Sequence, residues 1–176
     1  MKVTLASYHT IMMRHAGPTT HIVQMKNHLE KLGIEIELMD IWKSREEILK
    51  TDLFHLHASN IGVYDLAGYL HSLNTRFVVR PIFFTRRSAR TVRTVCKVNS
   101  LVQHIAPAVW SSYGITQDIC NWAQHVFPNT SDEAKIIREG LSVPEENITV
   151  IPNGVEKRFA NADPELFYKK YGVKDF

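Results

Sequence analysis

The sequence predicts an α/β fold on a mostly parallel sheet, and three observations carry that expectation. Short apolar runs alternate with amphipathic stretches of helical spacing along the chain. The first strand, helix and strand fit within residues 2–39, which makes a βαβ unit, the crossover that parallel strands require. The last apolar run, "NITVIPNG", ends in Pro152-Asn153-Gly154, and the residues after it form no second run. Asn-Gly is therefore not a hairpin turn here. It reads as a tight loop at a strand's carboxyl end, the edge where open α/β sheets bind ligands.

The elements follow in order. "KVTLA", residues 2–6, is the first strand, and a polar loop with Ala16-Gly17-Pro18 follows it. "THIVQMKNHLEKLG" spaces Ile22, Met25, Leu29 and Leu32 as a helix face, with Thr19 or Thr20 able to cap its start and Gly33 its end. "IEIELM" is the second strand. Ser44 and Glu47 form a capping box for "SREEILK", and "LFHLH" is the third strand. "NIGVYDLAGYLHSLN" reads as a helix with Ile61, Tyr64, Leu66 or Ala67, Leu70 and Leu73 inward. "RFVVRPIFF" is a fourth strand broken late by Pro81. Residues 88–123 read as helix interrupted near Pro107 and Gly114. "HVFPNTS" is a short strand and turn, Thr130 and Glu133 make a second capping box, and "NITVIPNG" is the last strand. A helix follows Asp163-Pro164.

Composition narrows the classes. With 176 residues, 44% of them hydrophobic, the chain can bury one sizeable core. Two cysteines, Cys96 and Cys120, make no disulfide framework and no CxxC; they read as core fillers in a reducing compartment. The N-terminal apolar run is broken by Ser7, Tyr8, His9 and Thr10, which makes a poor signal peptide, and no run is long enough to span a bilayer.

Charge is segregated. Between Leu66 and Gln117 there is no Asp or Glu, while Arg76, Arg80, Arg86, Arg87, Arg90, Arg93 and Lys97 give that window +7; the net charge of +3 leaves the rest at −4. Arg86, Arg90, Arg93 and Lys97 are spaced 4, 3 and 4, so a helix would align them as one cationic stripe, with Arg80 and Arg87 adding to it. Arginine suits phosphate because its fork engages two oxygens. A solvated helix face is the plainer reading, and the missing acids favour an anion-binding surface. Nucleic acid is disfavoured: no aromatics interleave the stripe and no recognition motif is visible.

Other chemistries find little support. No GxGxxG, HExxH or GxSxG occurs. Of nine histidines, His55 and His57 share one strand face, but no third metal ligand can be assigned, and ordinary hydrogen-bond partners are expected for both.

The passage "FPNTSDEAKIIREGLSVPEENITVIPNGVEKRF" resembles the end of the N-terminal domain of family 4 (group 1) glycosyltransferases, where a strand and a Ser or Thr turn enter a helix and a "gvp…kI.VIPNGV…F" passage closes the domain. Val143-Pro144, Ile148, Val150 to Val155 and Phe159 stand in those places. "DLFHLH" is similar to the family's third strand, and "THIVQMKNHLEKLGIEIELM" to its first helix and second strand. The resemblance spans nearly the whole chain, specific over 126–159 and loose over 85–125.

The resemblance implies a Rossmann-like three-layer αβα domain, the N-terminal half of a GT-B fold. Residues 1–160 would form the acceptor-side domain, and 161–176 a linker or helix leading to an absent donor-binding domain. It implies a retaining transfer of sugar from a nucleotide-sugar donor to a hydroxyl acceptor, anionic or lipid-linked among the options, with no activity expected from the fragment alone. Ala16, Gly17, Asn153 and Gly154 would form the donor-phosphate and cleft loops; Arg80, Arg86, Arg87, Arg90, Arg93 and Lys97 would bind acceptor or anion. No catalytic residue is assigned, and neither a metal nor a cofactor is expected beyond the donor as substrate. A cytoplasmic site is expected, with peripheral contact to an anionic inner membrane face as an open reading. Two departures stand out: the family's first loop has paired glycines where Ala16-Gly17 stands here, and its histidine after strand four is replaced by "RPIFFTRRSA", where Arg86 or Arg87 could take over part of the site. The alternatives are another GT-B enzyme, a sugar-nucleotide epimerase or phosphorylase, or a non-catalytic Rossmann-like binding module.

Overall fold

A computed structural model of the chain describes residues 1–13, 17–106, 108–155 and 163–172. Strands β1 (Lys2–Ser7), β2 (Glu35–Leu38), β3 (Leu53–His57), β4 (Phe77–Arg80) and β5 (His125–Val126) form one sheet in the order β2-β1-β3-β4-β5. Every pairing is parallel. Helices α1 (Gly17–Lys31), α2 (Arg45–Ile48), α3 (Ile61–Ser72), α4 (Ala89–Ile105), α5 (Ser112–Trp122), α6 (Ser131–Gly140) and α7 (Glu165–Tyr171) complete the described elements, with short 3-10 turns at Ile11–Met13 and Glu145–Asn147. The architecture is Rossmann-like α/β. Its strand order reverses between β1 and β3, a switch point that opens a crevice at the carboxyl ends.

Strand alternation divides the core. Phe54, Leu56, Phe77 and Val79 are fully buried on one face, under Val63, Ala67 and Leu70 of α3, Val92 and Cys96 of α4, Ile119 of α5 and Ile137 of α6. Each such side chain contributes about 1.5–3 kcal/mol by leaving water. On the other face Val3, Leu5 and Ile36 pack with Ile22 of α1. Both faces are covered, so the outward positions of β3 are buried too, and His55 and His57 occupy them.

Caps explain several boundaries. Ser44 and Glu47 form the expected capping box. Asn60 accepts from Gly62 N, Ser88 from Thr91 N and Ser111 from Gly114 N. Gly33 follows α1 with φ +79, a left-handed ending that glycine takes without steric cost.

Several expectations change. α1 begins at Gly17, with Pro18 in its first turn, and Thr19 donates its hydroxyl to Ile11 O at 2.6 Å. On α3 the fully buried positions are Val63, Ala67 and Leu70, while Ile61 is exposed, because the helix starts at Ile61 and turns that side chain toward the rim. β4 stops at Arg80, ended directly by Pro81. Gly114 does not break α5 but lies inside it: a Cβ there would meet the Asn99 side chain at 2.4 Å, so the glycine is needed for the helix contact. Thr130 caps α6 by accepting from Glu133 N, yet the Glu133 carboxylate turns elsewhere, so only half the box forms. "NITVIPNG" joins the sheet through one parallel bridge, Val126 to Ile148, with Thr149 N and Ile151 N donating to Val126 O and Pro128 O. It is a short sixth addition rather than a full strand.

Candidate functional site

The carboxyl ends of β1, β3 and β4 deliver their loops to one rim. There Tyr8, Pro18, Ala58–Ile61, Pro81–Phe84 and the first turn of α5 line a cleft of about 490 Å³. The Thr116 hydroxyl donates to Ser59 O at 2.8 Å, the Ser59 hydroxyl donates to Pro81 O at 3.1 Å, and the Tyr113 and Thr85 hydroxyls share a bond of 2.8 Å. These bonds lock the loops after β3 and β4 onto α5. Gly62 brings α3 against Tyr8, since a Cβ there would sit 2.6 Å from Tyr8 Cβ. Two lining residues hold unusual backbone: Ala58 has φ 138 and Ile82 φ 53. A β-branched residue in the left-handed region is strained, and such strain concentrates at ligand-binding loops. The lining combines aromatic rings with hydroxyls and contains no charged side chain. That suits a polyhydroxylated or apolar ligand held by stacking and hydrogen bonds.

Beside the cleft, a buried cation ties three segments together. Arg80 is 2% exposed. Its Nη1 donates to Asn153 Oδ1 at 3.0 Å and to His21 Nε2 at 2.6 Å, and its Nη2 donates to Ile151 O at 2.6 Å. Register places it opposite His57 on β3. Arg80 thus fastens the Pro152-Asn153-Gly154 loop to the second turn of α1, and the Asn153 and Gly17 segments share one rim. Arg80 does not belong to the exposed stripe expected of it: strand alternation points it inward.

The histidines depart furthest from expectation. His55 and His57 stack with ring centroids 4.3 Å apart, and His21 approaches His57 at 5.5 Å. His55 Nε2, both ring nitrogens of His57 and Arg80 Nε are buried without hydrogen-bond partners. The ordinary partners foreseen for His55 and His57 are missing at these atoms, because the strand face that receives them is packed with side chains. Burial, reinforced by Arg80 and His21, brings the His55 pKa down to about 3. Burial, reinforced by His55, His21 and Arg80, brings His57 to about 2. His21 is lowered by burial and by Arg80. All three therefore stand neutral beside a permanent cation. Among the described residues no three His, Cys, Asp or Glu side chains are placed to hold a metal ion.

The other site residues are distributed as follows. Gly17 opens α1 at the rim, and neither it nor Gly154 has an atom within 4 Å of where a Cβ would stand. Ala16 and Phe159 lie outside the described residues. Arg86 and Arg87 precede α4, are exposed, and do not line the rim cleft. Arg90, Arg93 and Lys97 are exposed on α4 and, with Ala89, Thr94 and Glu139, line a separate depression of about 420 Å³. Cys96 and Cys120 are buried, and burial raises both thiols, Cys96 to about 11. No sequence signal marked His21 or Glu133 as parts of the rim: both act through contacts distant in sequence.

No protein-family model matches the chain, and no curated protein matches it in sequence. Solved structures do. HepE of Anabaena, determined in complex with UDP, superposes with a TM-score of 0.56 at 12% identity, over 98% of this chain and 50% of that one. The UDP-GlcNAc 2-epimerase of Methanocaldococcus jannaschii superposes with a TM-score of 0.52 at 12% identity, over 87% of this chain and 46% of that one. The chain thus spans about half the length of these neighbours. At such identities the likeness establishes the fold: a Rossmann-like domain of the GT-B kind.

Proposed function

We propose that this chain is the acceptor-side half of a nucleotide-sugar-dependent glycosyltransferase, in which residues 1–160 form the domain and 161–176 lead toward the donor-binding half. The observation that carries the reading is the shared rim: the Asn153 loop, fastened by Arg80 to α1, beside an uncharged, hydroxyl-rich cleft at the carboxyl ends of a GT-B-like sheet. It is supported by the HepE structure, which holds UDP, and by the sequence resemblance around Val150–Val155. In this reading the cleft holds a hydroxyl acceptor, and the Gly17 and Asn153-Gly154 segments face the donor phosphates with backbone N–H groups. The domain supplies orientation and exclusion of water rather than acid–base chemistry. Transfer with retention of configuration follows from the family resemblance alone.

The second reading, a sugar-nucleotide epimerase, is favoured by the likeness to the UDP-GlcNAc 2-epimerase. One experiment separates them. The parent protein is offered UDP-sugars with and without hydroxyl acceptors, UDP release is followed by a coupled assay, and the sugar is followed by proton NMR. A transferase releases UDP only when an acceptor is present. Interconversion of the UDP-sugar without acceptor selects the epimerase, and neither outcome selects a binding module. Replacing Arg80 with Met frees the Asn153 loop and is expected to lower kcat/KM by at least tenfold, about 1.4 kcal/mol of transition-state stabilisation.

A further inference from the structure

The basic stripe ends in something the charge pattern alone did not reveal. α4 runs toward the sheet's carboxyl rim. Near its start Arg93 Nε donates to Glu139 O at the far end of α6, whose own beginning is at the rim, where Glu133 accepts from Phe83 N and Asn129 N. Further on, Asn99 Oδ1 accepts from Ser111 N at 2.7 Å, level with the first turn of α5, which lines the cleft. Residues 100–105 therefore continue about 9 Å past that turn at 1.5 Å per residue.

The buried side of α4 is Val92, Cys96 and Asn99. Arg90, Lys97, Leu101 and Ile105, spaced 7, 4 and 4, fall on the opposite side. This outer face changes character along its length. Its first half carries Arg90, Arg93 and Lys97, and among the described residues no ion pair engages them. Its second half is apolar and bare: Leu101 is 68% and Ile105 90% exposed, with Val98, Val109 and Trp110 also exposed. An exposed apolar helix end next to cations without ion pairs is not an ordinary solvated surface.

We propose that α4 docks this domain on an anionic lipid surface. Leu101, Ile105, Val109 and Trp110 enter the boundary between headgroups and acyl chains, while Arg86, Arg87, Arg90 and Lys97 lie against headgroup phosphates. The depression lined by Arg90, Arg93 and Lys97, where the carboxylate of Glu139 is paired with Arg138, is wide enough to seat one such phosphate. Charge complementarity selects this occupant. A second copy of the chain would bring together two faces on which Arg90, Arg93 and Lys97 outnumber the single acid, Glu139, and a nucleic acid would leave the apolar half with nothing to bury against. The aromatic cleft beside α5 then opens close to the bilayer. This inference stands apart from the transferase reading, since the same helix would dock an epimerase or a binding module equally well.

The test is flotation of the full chain with phosphatidylcholine vesicles, with and without phosphatidylglycerol, at low and high salt. Flotation is expected only with the anionic vesicles, weakened by salt. Arg90→Ala with Lys97→Ala should lower the partition coefficient roughly 25-fold, about fivefold for each cation. Leu101→Glu with Ile105→Glu should abolish flotation while leaving circular dichroism and melting unchanged, because both side chains are exposed. In a background carrying Trp42→Phe and Trp122→Phe, Trp110 emission should shift to the blue on adding anionic vesicles. The proposal is overturned if the chain ignores anionic vesicles at low salt, if the Leu101/Ile105 variant floats as well as the parent, or if light scattering finds a lipid-free dimer that the same variant dissolves.

Discussion

The buried histidine pair makes the fold sensitive to mild acid, and the size of the effect can be worked out. His55 and His57 lie inside the protein, and burial, reinforced by Arg80 from β4, by His21 from α1 and, for His57, by His55, holds their pKa values at about 3 and about 2. In the unfolded chain each titrates near the ordinary 6.5. Below that pH the unfolded state binds protons that the native state refuses, so stability falls as pH falls. From pH 7 to pH 5 the loss is about 1.9 kcal/mol for each histidine, about 4 kcal/mol for the pair, against a typical total of 5–15 kcal/mol. The window isolates the imidazoles. Glu37, held near 2 mainly by its hydrogen bonds from Lys2 and Lys43, begins to matter only below its ordinary 4.5. Asp118, raised by burial, acts with the opposite sign, its native carboxyl taking up a proton more readily than the unfolded one. Urea unfolding at pH 7, 6 and 5 measures the slope. The variant carrying His55→Leu and His57→Leu should be at least as stable at pH 7, because it removes unpartnered buried nitrogens, and should lose most of the slope. A wild-type stability that changes by less than about 1 kcal/mol between pH 7 and 5, or a double variant with undiminished slope, would refute the reasoning.

Two further perturbations probe the loops that shape the rim. Glu133 accepts from Phe83 N at 2.7 Å and Asn129 N at 2.6 Å, so Glu133→Ala strands two partly buried donors and should cost about 2–4 kcal/mol by chemical denaturation, with Glu133→Gln near half that. Gly62→Ala drives a Cβ to 2.6 Å from Tyr8 Cβ, a contact that neither backbone can absorb in place; a loss of about 1–3 kcal/mol in stability is expected, together with a changed cleft visible as shifted Tyr8 resonances in NMR spectra.

What the sequence by itself determined is local. Hydrophobic periodicity gave the βαβ succession, β3 residue for residue, and α1 to within its first turn, because a helix or strand face repeats over a few neighbours. Capping chemistry located the start of α2 and the half-formed cap of α6, since those bonds close within three residues. The acid-free segment was plain in the one-dimensional charge pattern. The tertiary structure decided what depends on register between distant segments. Strand alternation took Arg80 off the surface and set it against His21 and Asn153, 59 and 73 residues away. Packing on both sheet faces stripped partners from His57 Nδ1 and Nε2. Close approach made Gly62 and Gly114 contact residues rather than breaks, and the direction of α4 joined a bare apolar tip to its cations. Each of these is a meeting of side chains whose separation along the chain carries no periodicity, so only the packed structure brings them onto one rim.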